Sequence, residues 1–312
     1  MKGFIYALLV LTSMLWGGNF VASKLLVDHA EPMTLVLFRW GIAVIVWLPI
    51  VLKKEKKIIP PRAAWLPLLL MGLTGVLLFN VCMFYALEHT TATNTGLISA
   101  LNPIMIALLS FIIYRDRLHK LQIVAMCVSF SGVIYFILQG DLSRLWLMSF
   151  NIGDLWMLGS VLIWGIYSIA SKWAMMYISP FLSTFWGGII GVLIMLPLEW
   201  KNVISTTGDT WFWVGIAYTS VGATVAAMMF WNIGVQRVGG TQAGMFLNLN
   251  PIFTGLFAYL LLDEQMNVQQ WIGAIIVLSG VFAFTVIGIK TTREEQRRHE
   301  QNNNIEQASC VH

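Results

Sequence analysis

Ten times along its 312 residues the chain runs for a stretch almost free of charge, each of the about 20 residues that an α-helix needs to cross a bilayer. The windows fall at 4–27, 32–52, 65–87, 92–114, 121–139, 153–177, 180–199, 211–236, 240–262 and 268–289. No other feature narrows the fold as much. Backbone groups in lipid must be satisfied within their own segment, so such runs become helices. The expected class is an all-α membrane protein of ten transmembrane helices. Composition agrees, with 58% hydrophobic and 11% charged residues against roughly 25% charged in soluble domains. The first window follows Lys2 as a signal peptide would, but Trp16-Gly17-Gly18-Asn19 is no small-residue cleavage site, so it is read as retained.

Lys and Arg set the orientation. With the N-terminus in the cytoplasm, the inner side receives 14 basic residues and the outer side 2, Arg144 and Lys201, while Lys24, Arg39 and Lys172 lie within spans. Both termini are therefore expected to be cytoplasmic, in a multi-pass protein of the cell membrane. The net charge of +4 comes from these short loops, which argues against a nucleic-acid partner. Cys82, Cys127 and Cys310 form no CxxC, and the first two read as small apolar filler. The polar segment 290–312 reads as a cytoplasmic tail, disordered or a frayed helix.

WGGNFVASK at Trp16–Lys24 reappears as WGIYSIASK at Trp164–Lys172. The displacement of 148 residues also carries Pro32 to Pro180, Asn102-Pro103 to Asn250-Pro251, Asp116 to Glu264, and Ser131-Gly132-Val133 to Ser279-Gly280-Val281. No insertion interrupts the register. The chain is thus two five-helix units, 1–141 and 149–289. An odd number of crossings makes the second enter the membrane from the opposite side, an inverted repeat of the kind that underlies many secondary transporters.

The five-plus-five repeat, the paired WG…ASK signatures and the paired Asn-Pro resemble the EamA family of the drug/metabolite transporter superfamily, over nearly the whole chain. The resemblance implies a central cavity surrounded by the spans other than the fifth and tenth. It also implies transport of amino acids or related metabolites, mostly as export.

Polar side chains inside the spans are the candidate substrate contacts. A charge at bilayer depth costs roughly 2.5–3.5 kcal/mol and needs a reason. Lys24 and Lys172 would place one charge near each mouth, or snorkel to the interface. Arg39, about 10 Å into the second span, either captures a substrate carboxylate or pairs with Asp28 or Glu31. Trp16, Asn19 and Ser23 share a helix face with Phe20, and Trp164, Tyr167 and Ser171 repeat the arrangement in the sixth span. Asn80 and Asn232 add amides to spans three and eight. Asn102 and Asn250 precede prolines near the middle of spans four and nine, where the proline frees the carbonyls of Ser99 and Leu247.

No span interior holds Asp or Glu; Glu88, Asp154 and Glu199 stand at span ends. No Walker sequence, metal cluster or hydrolase motif occurs, and no cofactor is expected. The reading is a secondary transporter of small polar or amphipathic metabolites working by alternating access, with the metabolite and the lipid bilayer as partners. A homodimer is compatible with the chain, but no feature calls for one. A membrane enzyme or a channel or lipid-handling protein is the alternative; the first lacks acid/base groups in the spans.

Overall fold

The computed structural model describes residues 2–115, 119–138, 140, 151–238, 243 and 245–309, with 291–309 as backbone only. Every regular element among the described residues is helical. Among the described residues, nine helices are long and apolar enough to span a bilayer, and a shorter one, Phe246–Leu262, stands where the ninth span is expected. Numbered by span, α1 is Lys2–Leu26, α2 Pro32–Lys54, α5 Lys120–Ile137, α6 Ile152–Ala174 and α7 Pro180–Ser205. The remaining spans are composite. In α3, Trp65–Met71 and Phe79–His89 are joined by a π-helical segment, Gly72–Leu78. In α8, Thr210–Ala217 and Ala227–Val238 are joined by π-helical Tyr218–Ala226. In α4, Ala92–Ser99 breaks before Asn102–Tyr114. In α9, 3₁₀-helical Met245–Leu249 leads into Asn250–Leu262. Finally α10 runs from Val268 to Ser309.

Local chemistry places the helix ends. Ser179 accepts from the amide of Leu182 at 3.1 Å, with Pro180 in the first turn of α7. Asp209 caps α8 through Phe212 N at 2.7 Å, and Thr91 caps α4 through Asn94 N at 3.0 Å. Each oxygen satisfies an amide that has no partner within its own helix.

Packing follows the repeat. Helix α1 packs on α8 and α9, α6 packs on α3 and α4, α2 packs on α7, and α5 packs on α10. A displacement of one repeat exchanges the first two sets and maps the last two pairs onto themselves. That is the contact pattern of two halves related by two-fold symmetry. The α5–α10 contact is close because Gly132 and Gly280 face it: a Cβ on Gly132 would stand 2.7 Å from Val277 N, and one on Gly280 2.7 Å from Ser129 N.

Contacts between turns sort them onto two ends. At one end Trp186 Nε1 donates to Ile58 O at 2.7 Å, Ser179 Oγ donates to Glu55, and Lys54 Nζ lies 3.8 Å above the Phe181 ring. The α2–α3 loop therefore sits on the α6–α7 turn. At the other end the α3–α4 turn meets α1, α6 and the residues after α9. Counting spans gives the same two groups.

The polar tail, expected to be disordered or a frayed helix, continues the α10 backbone helix as far as Ser309, through a run rich in Glu, Gln and Arg, which are good helix formers. Asp154 stands in the first turn of α6, at the span end where it is expected, and is buried, with 1% of its surface exposed. Asp116, Arg144 and Cys310 lie outside the described residues.

Candidate functional site

A cavity of about 330 Å³ lies among α1–α4 and α6–α9, and α5 and α10 take no part in its lining. Its volume is at the lower end of the ~300–1,000 Å³ typical of small-molecule sites. The π-segments of α3 and α8 both border it, through Gly75 and through Ala223 and Thr224. Displaced by one repeat, Gly72–Leu78 falls inside Tyr218–Ala226, so both halves widen the same helical turn. Such bulges loosen the backbone ladder and recur at functional sites. Side chains satisfy it here: Asn80 Nδ2 donates to Gly75 O and Val76 O, both at 2.9 Å, and Thr224 Oγ1 donates to Thr219 O at 2.8 Å.

Between these segments lies Arg39. Its Nε donates to Thr224 Oγ1 at 2.9 Å and its Nη1 to Asn80 Oδ1 at 2.9 Å, and only 7% of the residue is exposed. The alternative of pairing with Asp28 or Glu31 is corrected: both acids are exposed residues of the α1–α2 turn, about 10 Å of helix rise away. Arg39 instead is held by two neutral groups. Hydrogen bonds to a charged group contribute roughly 1.5–3 kcal/mol each, which offsets the cost of carrying the guanidinium at depth. Two of its five N–H donors are used in these bonds.

Aromatic rings form the walls. Trp16 and Trp231 have centroids 5.6 Å apart, and Trp164 lies 4.7 Å from Phe79 and 4.8 Å from Tyr167. Trp16 Nε1 is held by Ala223 O at 2.9 Å. Tyr167 lies over Gly75, where a Cβ would stand 2.1 Å from its ring, so only glycine admits the ring there. Polar atoms punctuate these walls. Asn19 Oδ1, Asn102 Oδ1, Asn250 Oδ1, Asn232 Nδ2 and Trp40 Nε1 are buried without a protein partner, and all five residues line the cavity. Asn102 and Asn250 open the second halves of α4 and α9, so two helix N-termini face the cavity region.

Of the residues singled out from sequence, Trp16, Asn19, Arg39, Asn80 and Asn102 line this cavity from the first repeat. Trp164, Tyr167, Ser171, Asn232 and Asn250 line it from the second. Three do not. Ser23 is fully buried in helix packing, and Lys172 is an exposed residue of α6 outside the lining. Lys24 Nζ donates to Leu87 O and, at 3.0 Å, to Thr90 O. It caps the C-terminus of α3, where unpaired carbonyls and the helix dipole favour a cation. Sequence reasoning missed Thr224, Trp40, Phe79 and Trp231; a hydroxyl or one more indole in an apolar run carries no signal until a neighbour is known.

The two ends of the cavity differ. Met175, Pro180, Ser183 and Thr184 line it, and Met175 is 42% exposed, so the cavity reaches the α6–α7 turn. Their repeat equivalents Val27, Pro32, Leu35 and Val36 are buried in packed core. That closed end is tied down at the α3–α4 turn. Besides Lys24, Asp154 Oδ1 accepts from Thr90 Oγ1 at 2.7 Å and from Asn94 Nδ2 at 3.2 Å. Glu264 accepts from Ala92 N at 2.8 Å, Thr93 N at 2.9 Å and Thr93 Oγ1 at 2.6 Å.

The model of a family described as "EamA-like transporter family" matches twice, at residues 3–138 and 151–286. The second match is the first displaced by the same 148 residues that relate the sequence repeats. A Bacillus subtilis (strain 168) transporter, YyaM, is 28% identical over 89% of this chain and 92% of its own. A transporter of Archaeoglobus fulgidus is 26% identical over 90% and 96%. A chloroplastic WAT1-related protein of Arabidopsis thaliana is 21% identical over 89% and 68%. One solved crystal structure superposes with a TM-score of 0.64 at 16% identity, covering 92% of this chain and 99% of that one; that likeness concerns the fold.

Proposed function

Because the chain belongs to the EamA-like transporter family and is a multi-pass membrane transporter, we propose that it carries small polar or amphipathic metabolites through the central cavity by alternating access, as an exporter in the cell membrane. The unequal ends of the cavity carry this reading. Val27 and Val36 are packed shut while their equivalents in the other repeat, exposed Met175 and half-buried Thr184, line a cleft, as one end-state of an inverted-repeat carrier requires. Exchanging the two conformations would open the α3–α4 end and close the α6–α7 end. Lys24 belongs to the closed end, and Lys172 holds the matching place at the other. The charge distribution in the loops supports a cytoplasmic α6–α7 end, so the cavity described here faces inward.

Paired single-cysteine variants at repeat-equivalent positions test the proposal. In everted and right-side-out vesicles from a cysteine-free parent, Thr184→Cys should label from the cytoplasmic side. Val36→Cys should label from the outside only when Thr184→Cys is protected. Counterflow of a labelled metabolite in proteoliposomes should accompany this exchange. Full reactivity of Val36→Cys from outside that persists while Thr184→Cys stays fully reactive from inside, with no reciprocal change between them, would indicate a continuous pore and end the carrier reading.

A further inference from the structure

We propose that the cavity is selective for organic monoanions, carboxylates with an apolar or aromatic body and a hydrogen-bond donor, over zwitterions and cations of the same shape; the inference rests on the cavity being the transport site. Charge is the first argument. Among the described residues lining the cavity, the one formally charged side chain is Arg39, and no carboxylate lines it. Arg39 is held by two neutral acceptors, Thr224 and Asn80, so its positive charge is not compensated by them. An entering monoanion would neutralise it, whereas a zwitterion leaves the net charge unchanged and a cation adds to it.

The backbone points the same way. The second halves of α4 and α9 begin at Asn102 and Asn250, both on the cavity lining. Half-helix N-termini at membrane depth favour anionic substrate groups, because their dipoles present partial positive charge there. An independent observation ties this to a ligand. Asn232, 92% buried by its 8% exposure, lines the cavity with Nδ2 unpartnered, and Trp40 Nε1 is a second buried donor without an acceptor. Guanidinium, amide and indole N–H groups together suit a carboxylate.

The rest of the lining describes the body of the ligand. Trp16 with Trp231 and Trp164 with Phe79 offer aromatic surfaces on both halves, suited to a ring or branched apolar group. The unpartnered oxygens of Asn19, Asn102 and Asn250 can each accept from a hydroxyl or amide N–H.

Three probes that share a phenyl body separate the classes: 3-phenyllactate, an anion with a hydroxyl; phenylalanine, a zwitterion; and phenethylamine, a cation. Binding to the purified full chain in nanodiscs at neutral pH is read from tryptophan fluorescence and from thermal shift. 3-Phenyllactate should bind at least about tenfold more tightly than phenylalanine, with phenethylamine weakest. Arg39→Gln should abolish this preference and Arg39→Lys should keep it in weakened form. Equal or tighter binding of phenylalanine or phenethylamine overturns the proposal, as does failure of all three to bind. The comparison among probes on the unmutated protein decides the matter even where Arg39→Gln does not fold. Because binding is measured without transport, a wrong ligand class leaves the cysteine-exchange result intact, and a failed exchange leaves the order of probes readable.

Discussion

Ser129 Oγ donates to the backbone carbonyl of Val277 at 3.3 Å, and the two residues stand 148 positions apart, the displacement that relates the halves of the chain. A residue that touches its own repeat equivalent can do so only beside the symmetry axis. The axis therefore passes between α5 and α10, the pair outside the cavity, and those helices act as the seam joining the two halves.

Filling this seam should separate it. Gly132→Leu and Gly280→Leu should each lower the thermal midpoint of the purified protein, since neither backbone neighbour at 2.7 Å can move aside as a side-chain end could. Overpacking of this kind costs roughly 1–3 kcal/mol. The same change at Gly159, whose Cβ would meet nothing within 4 Å, is the control and should leave the midpoint unchanged. Equal shifts at all three positions would remove the seam from the account.

The bonds to Arg39 predict which partners matter. Thr224→Val and Asn80→Ala should each reduce transport and stability, because each leaves a buried N–H of the guanidinium unpaired at a cost of roughly 1–3 kcal/mol. Asp28→Asn and Glu31→Gln should leave both nearly unchanged. A double-mutant cycle between Arg39→Gln and Thr224→Val should show coupling; strict additivity would mean that the two side chains act separately.

Lys24 is expected to act as a latch rather than as a substrate ligand. Lys24→Gln removes a charged donor from Leu87 O and Thr90 O. Losing about 1.4 kcal/mol of such contact shifts a two-state equilibrium tenfold. Labelling of Val36→Cys should therefore rise in the Lys24→Gln background while labelling of Thr184→Cys falls. Unaltered labelling with lower expression would instead identify Lys24 as an interface anchor.

Asp154 should tolerate one substitution and not another. Asn keeps an oxygen able to accept from Thr90 Oγ1 and Asn94 Nδ2, so Asp154→Asn should retain most of the fold and of Val36→Cys protection. Asp154→Leu strands both donors and should weaken protection markedly. Loss of protection in both variants would make the charge itself, and not its acceptor oxygen, the requirement.

The spans and the register of the repeat are legible in the sequence because lipid admits a single solution for long apolar runs, and because a slip of one residue would spoil every later match. Part of the site is legible on the same ground: Trp16 with Trp164, and Asn102 with Asn250, are marked by their repetition. Arg39 stands out by its charge alone. Of its partners, Asn80 is marked by its amide within a span, but Thr224 is not, since it maps onto Val76 and neither is remarkable in an apolar run. The π-segments leave no compositional mark, although they turn Asn80 and Asn232 toward one cavity. Lys24 stands outside the cavity lining for a physical reason. A cation at a span end meets backbone carbonyls as readily as a substrate, and carbonyls carry no letter of their own.

The unequal mouths have a consequence for the unloaded protein. The packed mouth buries Val36, at 0% exposure, whereas the residue that would take its place on closing the other mouth is the half-buried Thr184. Removing a Val side chain from water contributes roughly 1.5–3 kcal/mol, and a hydroxyl-bearing Thr returns less. In the proposed cycle the empty protein then rests with its cleft toward the α6–α7 end, and reversing it without cargo is the slow leg. Exchange of one bound solute for another would outpace net flux, and a solute gradient from that side would find the binding site already waiting.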